Sequence, residues 1–425
     1  MKKRIFLFDN LKFLLMTTVV IGHLSDCLVK SSDIMKSTYV FIYAFHMPLF
    51  IYLSGLFHSN RNVKNRCISF IFMGFSMKVL LYLSKLIFFH KTDFLLLSDD
   101  GIPWFMFALA MFTACSYFLR DIDLKIIFLL SIILACIVGY DKSIGDYLYL
   151  SRFVVFYPFY LLGQMSDRNR VQELNHSKIL KVFSLGGIAI WGYLSIRKLD
   201  LIYILRPLFT GRNSFDINPA FEVYGPLYRI LCILITLLTC ICLLSLVPNK
   251  RIPFISSAGQ RTLQVYFWHY PAIHLMQYFK VDDILVNTAW GQALWVSLGI
   301  FLTIIFSTKF FVFPVVHIQK AFSHIPSRNE WAFQKGLSGN RQPLLKEVLT
   351  LKWWGISREN RLVYLIHRIY FFFICRISSS TSYTAIFSRT TRARLSFAWF
   401  RRWKRLRTLE YPPVEHQDLR YPFSS

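Results

Sequence analysis

Acidic residues are scarce in this sequence, 23 Asp and Glu against 49 Lys and Arg in 425 residues, which leaves a net charge of +26. Charge of either sign is thin as well. Only 17% of residues are charged while 55% are hydrophobic, and the mean hydropathy is positive, which excludes a solvated or disordered chain. Paired cysteines are also missing. Cys27, Cys67, Cys115, Cys136, Cys232, Cys240, Cys242 and Cys375 include no CxxC pair and no zinc-type spacing. Most lie in apolar runs and read as small packing residues, and Cys27 is the one expected to meet an oxidising compartment. No internal repeat relates the two halves, which counts against a transporter built from repeats.

Long apolar runs are what the chain has in abundance, several of them near the roughly 20 residues a helix needs to cross hydrocarbon. The expected fold class is therefore all-α: a polytopic membrane bundle of about ten helices over residues 1–320, with a basic cytoplasmic extension at 321–425. Hydropathy and turn signals place spans near 6–24, 39–57, 67–89, 103–119, 124–140, 153–165, 179–196, 227–247, 262–279 and 290–317. The sixth is short and the ninth contains Pro271, so both are candidates for broken or tilted helices.

Basic loops at 58–66, 120–125, 166–178 and 248–261 alternate with less basic ones at 90–101 and 280–287, which predicts that both termini are cytoplasmic. The long outer loop 197–226 breaks that pattern with Arg197, Lys198, Arg206 and Arg212, and its length suggests that it folds back over the bundle. The apolar start resembles a secretory signal, but Asp9 and Lys12 interrupt its core, so an uncleaved first span is expected. Residues 320–425 hold 19 Lys and Arg against 6 Asp and Glu, half of the net charge. In that tail 361–377 and 390–407 mix aromatics with cations, a pattern that favours anionic lipid over nucleic acid. No hexapeptide repeat or Gly-rich phosphate loop appears there.

The first span, LFDNLKFLLMTTVVIGHLSD, carries Asp9, Lys12 and His23. At about 100° and 1.5 Å per residue, Lys12 and His23 share a face within roughly 20° and lie about 16 Å apart along the axis. Asp9, three positions before Lys12, falls on the same stripe. An i,i+3 ion pair at one end and an interfacial histidine at the other would be a purely structural explanation. Other spans add polar groups to the interior: His46 and the small pair Ser54-Gly55 in the second, and His269 in the ninth, which begins near Arg261.

These segments together resemble the integral-membrane acyltransferase-3 family, in particular its branch similar to fucose 4-O-acetylases and other polysaccharide O-acetyltransferases. The likeness rests on FDNLKFLLMTTVVIGHL with its Lys12-x10-His23 spacing, on FHMPLFIYLSG, PWFMFAL, RFVVFYPFYLLGQ and GQRTLQVYFWHYP, in that order, over residues 1 to about 320. Gln260-Arg261-Thr262 stands where relatives often read Arg-Asn-Ser, and the tail has no counterpart.

The resemblance implies transfer of an acetyl group from cytoplasmic acetyl-CoA to a sugar hydroxyl, with a polysaccharide or lipid-linked glycan as acceptor, membrane lipids as surroundings and no metal. His23 then takes the catalytic position, either as general base toward the hydroxyl or as a transient acyl carrier. Lys12 would bind a donor phosphate or steady developing negative charge, with Asp9 favouring its charged form. Arg61, Lys64 and Arg66 are candidates for binding the acidic donor, or else topological anchors. His46, Ser54, Tyr266 and His269 are supporting candidates, Ser54 and Tyr266 as donors toward an oxyanion. A flippase of lipid-linked sugars and a polysaccharide polymerase are the competing functions.

Overall fold

The computed structural model describes residues 4–323 apart from 97, 99, 100, 143 and 146; the tail segments expected to lie on the membrane are outside the described residues. Every regular element among the described residues is helical. The chain runs through α1 (Phe6–Cys27), α2 (Asp33–Tyr43), α3 (His46–Leu56), α4 (Val63–Phe89), α5 (Trp104–Phe118), α6 (Leu124–Ile137), α7 (Leu150–Met165) and α8 (Arg168–Leu174). It continues through α9 (Lys178–Arg197), α10 (Leu199–Tyr203), α11 (Arg206–Phe209), α12 (Pro219–Leu246), α13 (Pro253–Ala258), α14 (Thr262–Tyr278), α15 (Val281–Val286), α16 (Ala289–Phe306) and α17 (Val315–Ser323).

Each expected span finds a helix or helix pair. Six of them, α1, α2 with α3, α4, α9, α12 and α16, are long and apolar enough to cross a membrane, and α5 and α6 are shorter apolar helices. Two boundaries differ from expectation. The second span is two helices meeting at Ala44-Phe45, because Pro48 has no N–H and its ring crowds the carbonyl four residues back. That carbonyl, on Ala44, accepts the Thr236 hydroxyl at 2.7 Å instead. The tenth span stops at Phe306 rather than 317, and α17 follows as a separate element. By contrast, α14 continues through Pro271 as one helix.

Local signals explain several starts. Ser32, Asp123, Asp167, Ser177, Asn218 and Thr288 each accept a backbone N–H at the first turn of their helix, and Pro219 occupies the first position of α12. The long loop does fold back as expected: Leu205, Leu208, Phe209, Phe215 and Phe221 are buried with Val29, Tyr39 and Val40.

α1 occupies the middle of the bundle, packed by α2, α3, α13, α14 and α16. Ile179, Val182 and Phe183 on α9, in contrast, are exposed, as are Leu227, Leu234 and Leu238 on α12. In water such a surface would be a liability, but against lipid it is the expected outer face.

Lipid supplies little hydrophobic drive between helices, so close approach of backbones and hydrogen bonds must hold the bundle together. Gly55 and Gly163 face each other's helices across the α3–α7 contact. A Cβ on Gly55 would collide with the Tyr160 carbonyl, and one on Gly163 with the Tyr52 carbonyl. Gly163→Val is therefore expected to cost about 1–3 kcal/mol, seen as a lower thermal midpoint in detergent; an unchanged midpoint would show that the two helices separate without penalty. Asn10 and Trp295 act as hydrogen-bond ties. Asn10 Nδ2 donates to the carbonyls of Pro248 and Lys250 at 2.8 and 2.9 Å, and Trp295 Nε1 donates to the Leu24 carbonyl at 2.9 Å.

Candidate active site

α1 and α14 run side by side in the same direction: the Asp9 carbonyl abuts Gly259, just before α14, and Gln277 Nε2 donates to Cys27 Sγ at 3.4 Å at the other end. The polar stripe of α1 thus faces α14 along its length, with Lys12 low and His23 high.

At the Phe6 end, Asp9 is buried and its nearer partner is Arg4, whose Nε donates to Oδ2 at 2.8 Å. Lys12 Nζ sits 4.0 Å from the other oxygen, at the limit of an ion pair. The ammonium also lies 5.3 Å from the centre of the Phe57 ring, over which the Arg168 guanidinium sits at 4.5 Å. Phe57 thereby gathers two cations by the attraction of a ring face for positive charge. Arg168 is aimed by two contacts. Its Nε donates to the Leu56 carbonyl at 3.2 Å, and Asp167 before it caps α8. The backbone N–H groups of Arg170 and Asn169 hold the Asp167 carboxyl below the usual carboxylate range.

From this end a cavity of about 290 Å³ enters the bundle, lined by Lys12, Ser54, Phe57, Phe105, Gln260 and Tyr266 among others. Its walls are mostly apolar. The Ser54 hydroxyl donates to Phe50 O at 2.9 Å, and the Tyr266 hydroxyl donates to the Ile102 carbonyl. Both hydroxyl protons are committed to backbone, so neither is offered to an oxyanion in this arrangement. Arg61 and Lys64 are exposed in and after the short connection between α3 and α4, and Arg66 donates to Ser59 O at 2.6 Å. All three lie at the same end of the bundle as Phe57.

Above the cavity the Tyr266 ring stands 5.8 Å from that of His269, which is 5.4 Å from His23. Tyr270 lies edge-on to His23 at 5.2 Å. His46 joins through Tyr43, whose ring is 4.6 Å from it and which packs beside Gly22. His269, His46 and Arg152 are within electrostatic reach of His23.

The three imidazoles are not equivalent. His46 and His269 are fully buried, and each uses Nδ1–H to donate to the carbonyl one turn back, Ile42 at 2.9 Å and Val265 at 3.1 Å. A carbonyl can only accept, so the proton is on Nδ1 and, in the neutral ring, Nε2 carries a lone pair. For His269 that Nε2 is buried without a hydrogen-bond partner. His23 is partly exposed, the least buried of the three imidazoles.

The structure brings His23, His46 and His269 together and puts Lys12, Ser54 and Tyr266 on one cavity. Asp9 stands behind Lys12 with Arg4, while Arg61, Lys64 and Arg66 remain peripheral to the imidazoles. Sequence pattern does not single out Arg4, Phe57, Arg168 or Tyr270, since each acquires its place through a contact with a residue in another segment or at the chain's start. Arg206 is visible in the sequence as a misplaced charge: it donates to Asp26 at 2.9 Å and lies 4.8 Å over Tyr39, tying the folded-back loop to α1 one turn beyond His23. Among the described residues no three His, Cys, Asp or Glu side chains converge as metal ligands.

Comparison with curated proteins and with solved structures gave no match. The acyltransferase-3 family model, described as an acyltransferase domain, matches residues 6–312. That interval contains the cavity, the imidazole cluster and all six helices long and apolar enough to cross a membrane. Most of the chain is thereby accounted for, and the protein belongs to the acyltransferase-3 family of integral membrane acyltransferases.

Proposed function

We propose that this acyltransferase moves an acetyl group from cytoplasmic acetyl-CoA to a hydroxyl of a cell-surface polysaccharide or its lipid-linked precursor, in a bacterial inner membrane with both termini cytoplasmic. The observation that carries the reading is an apolar cavity with Lys12 and Phe57 in one wall, Arg168 over the same Phe57 ring, and Tyr266 in the wall that backs onto His269 and, beyond it, His23. A thioester on a slender arm suits such a cavity, and its phosphates suit the cations at the mouth.

His23 is the group positioned to take the hydroxyl proton as the sugar oxygen attacks the acetyl carbonyl. The C–O bond forms, the C–S bond breaks, and the proton passes to the departing sulfur. If His23 instead attacks first, the acetyl group rests on the imidazole and the sugar oxygen displaces it in a second step. Lys12, below, holds donor charge or stabilises the charge that develops.

Purified protein in nanodiscs with radiolabelled acetyl-CoA and glycan acceptors should move label to the glycan and release free CoA. Absence of both products in folded protein would defeat the reading. Arg168→Ala should raise KM for acetyl-CoA about tenfold, the effect of about 1.4 kcal/mol of lost binding, while kcat changes little. An unaltered KM would remove Arg168 from the donor mouth.

A further inference from the structure

A second cavity, of about 500 Å³, opens at the opposite end of α1, between the last turns of α4 and α14 and the segment 91–95. It is lined by Lys85, Phe89, Lys91, Asp93, His274 and Gln277, together with Leu95. Resting on the acetyl-CoA-to-glycan reading above, we propose that this cavity is the acceptor site and holds one pyranose ring of the glycan.

The chemistry of the lining fits a sugar. Each hydroxyl of a pyranose both donates and accepts, so a sugar site needs donors and acceptors side by side. Lys85 and Lys91 donate, Asp93 accepts, and Gln277 does both. Phe89 offers an apolar face to the C–H bonds of the ring, and the volume falls in the roughly 300–1,000 Å³ range of small-molecule sites. A lipid tail would meet too many polar groups here, and a simple anion would meet the Asp93 carboxylate.

Position relative to His23 is the second argument. His274, in the lining, is 5.2 Å from the Tyr270 ring, which is itself 5.2 Å from His23. Gln277 donates to Cys27 Sγ, four residues or about 6 Å along α1 from His23. A ring bound between Gln277 and His274 therefore sits about one helical turn beyond His23 along α1, with the Tyr270 ring between them, on the side away from the donor cavity.

The third argument is a buried charge that acetyl transfer itself does not use. Lys78 in α4 is 2% exposed, and its ammonium donates to the carbonyls of Leu95 and Ser98 at 2.6 and 2.8 Å, beside the Tyr149 ring. A lysine inside a span is costly and rarely incidental. Here it fixes the backbone of the segment that walls the cavity. Ser84 does the same for the facing wall: its hydroxyl donates to Leu81 O at 2.8 Å, so at 2.7 Å it accepts from His274 Nδ1–H and sets that ring. The cavity is thus held open by positioning residues on both sides.

The test uses the full-length protein in nanodiscs with methyl β-glucopyranoside and methyl β-galactopyranoside as probes, read by saturation-transfer NMR, and acetyl-CoA binding measured in parallel. Pyranose signals should appear with the wild-type protein and fall at least fivefold in Asp93→Ala/Gln277→Ala. Lys78→Met should weaken them as well; since that variant could misfold, the double variant, whose residues are not in the core, decides the question. Undiminished signals in a folded double variant would overturn the proposal, as would a wild-type protein that binds acetyl-CoA but neither pyranoside. Failure to bind acetyl-CoA and pyranoside alike would instead bring down the acetyl-CoA-to-glycan reading and this site with it.

Discussion

His23→Gln should lower acetyl transfer by at least about a thousandfold, within the range by which a positioned acid–base group contributes. Glutamine is close to histidine in size, so the packing against Tyr270 and His269 at 5.2 and 5.4 Å is largely kept. What is lost is the basic nitrogen. Membrane insertion and thermal midpoint should match wild type, which separates a chemical defect from a folding one. The same experiment distinguishes the two roles for the imidazole. Wild-type protein given labelled acetyl-CoA without acceptor retains label on the chain if His23 carries the acetyl group, and stays unlabelled if His23 is only a base. A well-folded Gln variant with wild-type transfer would remove His23 from the mechanism altogether, and His269, with its bare Nε2, would be the next imidazole to test.

The helices are legible in the sequence because a span must be a long apolar run, and such runs survive in any order of packing. The polar stripe on α1 is legible for a similar reason: helical periodicity alone aligns Asp9, Lys12 and His23. Partners are harder to read. Arg4 precedes the first helix and gains Asp9 through the turn into α1, while Arg168 meets Phe57 only because the α3–α7 contact is close enough to require Gly55 and Gly163. The break before His46 has a sequence signal in Pro48, but hydropathy averages over such a break and reports one span. The small pair Ser54-Gly55 marks a place of close approach by backbone or ligand. The structure divides the pair: Gly55 meets the backbone of α7, and Ser54 lines the cavity.

Lys12→Ala should cost about a hundredfold to a thousandfold in transfer, the size expected when one preorganised positive group is removed from a developing charge, and Lys12→Arg should keep part of the activity. The pairing around Asp9 makes the double variant informative. Were Lys12 present only to neutralise Asp9, removing both would restore balance and activity, since neither charge would be left alone in the helix. Asp9, however, already accepts from Arg4 at 2.8 Å, while Lys12 stands 4.0 Å away and turns toward the Phe57 face of the cavity. Deleting both residues therefore leaves Arg4 without its carboxylate and the cavity without its ammonium. Asp9→Ala/Lys12→Ala is expected to be at least as inactive as Lys12→Ala alone, with KM for acetyl-CoA raised where it can be measured. Recovery of transfer in the double variant would make the stripe a structural ion pair and leave the donor mouth to Arg168.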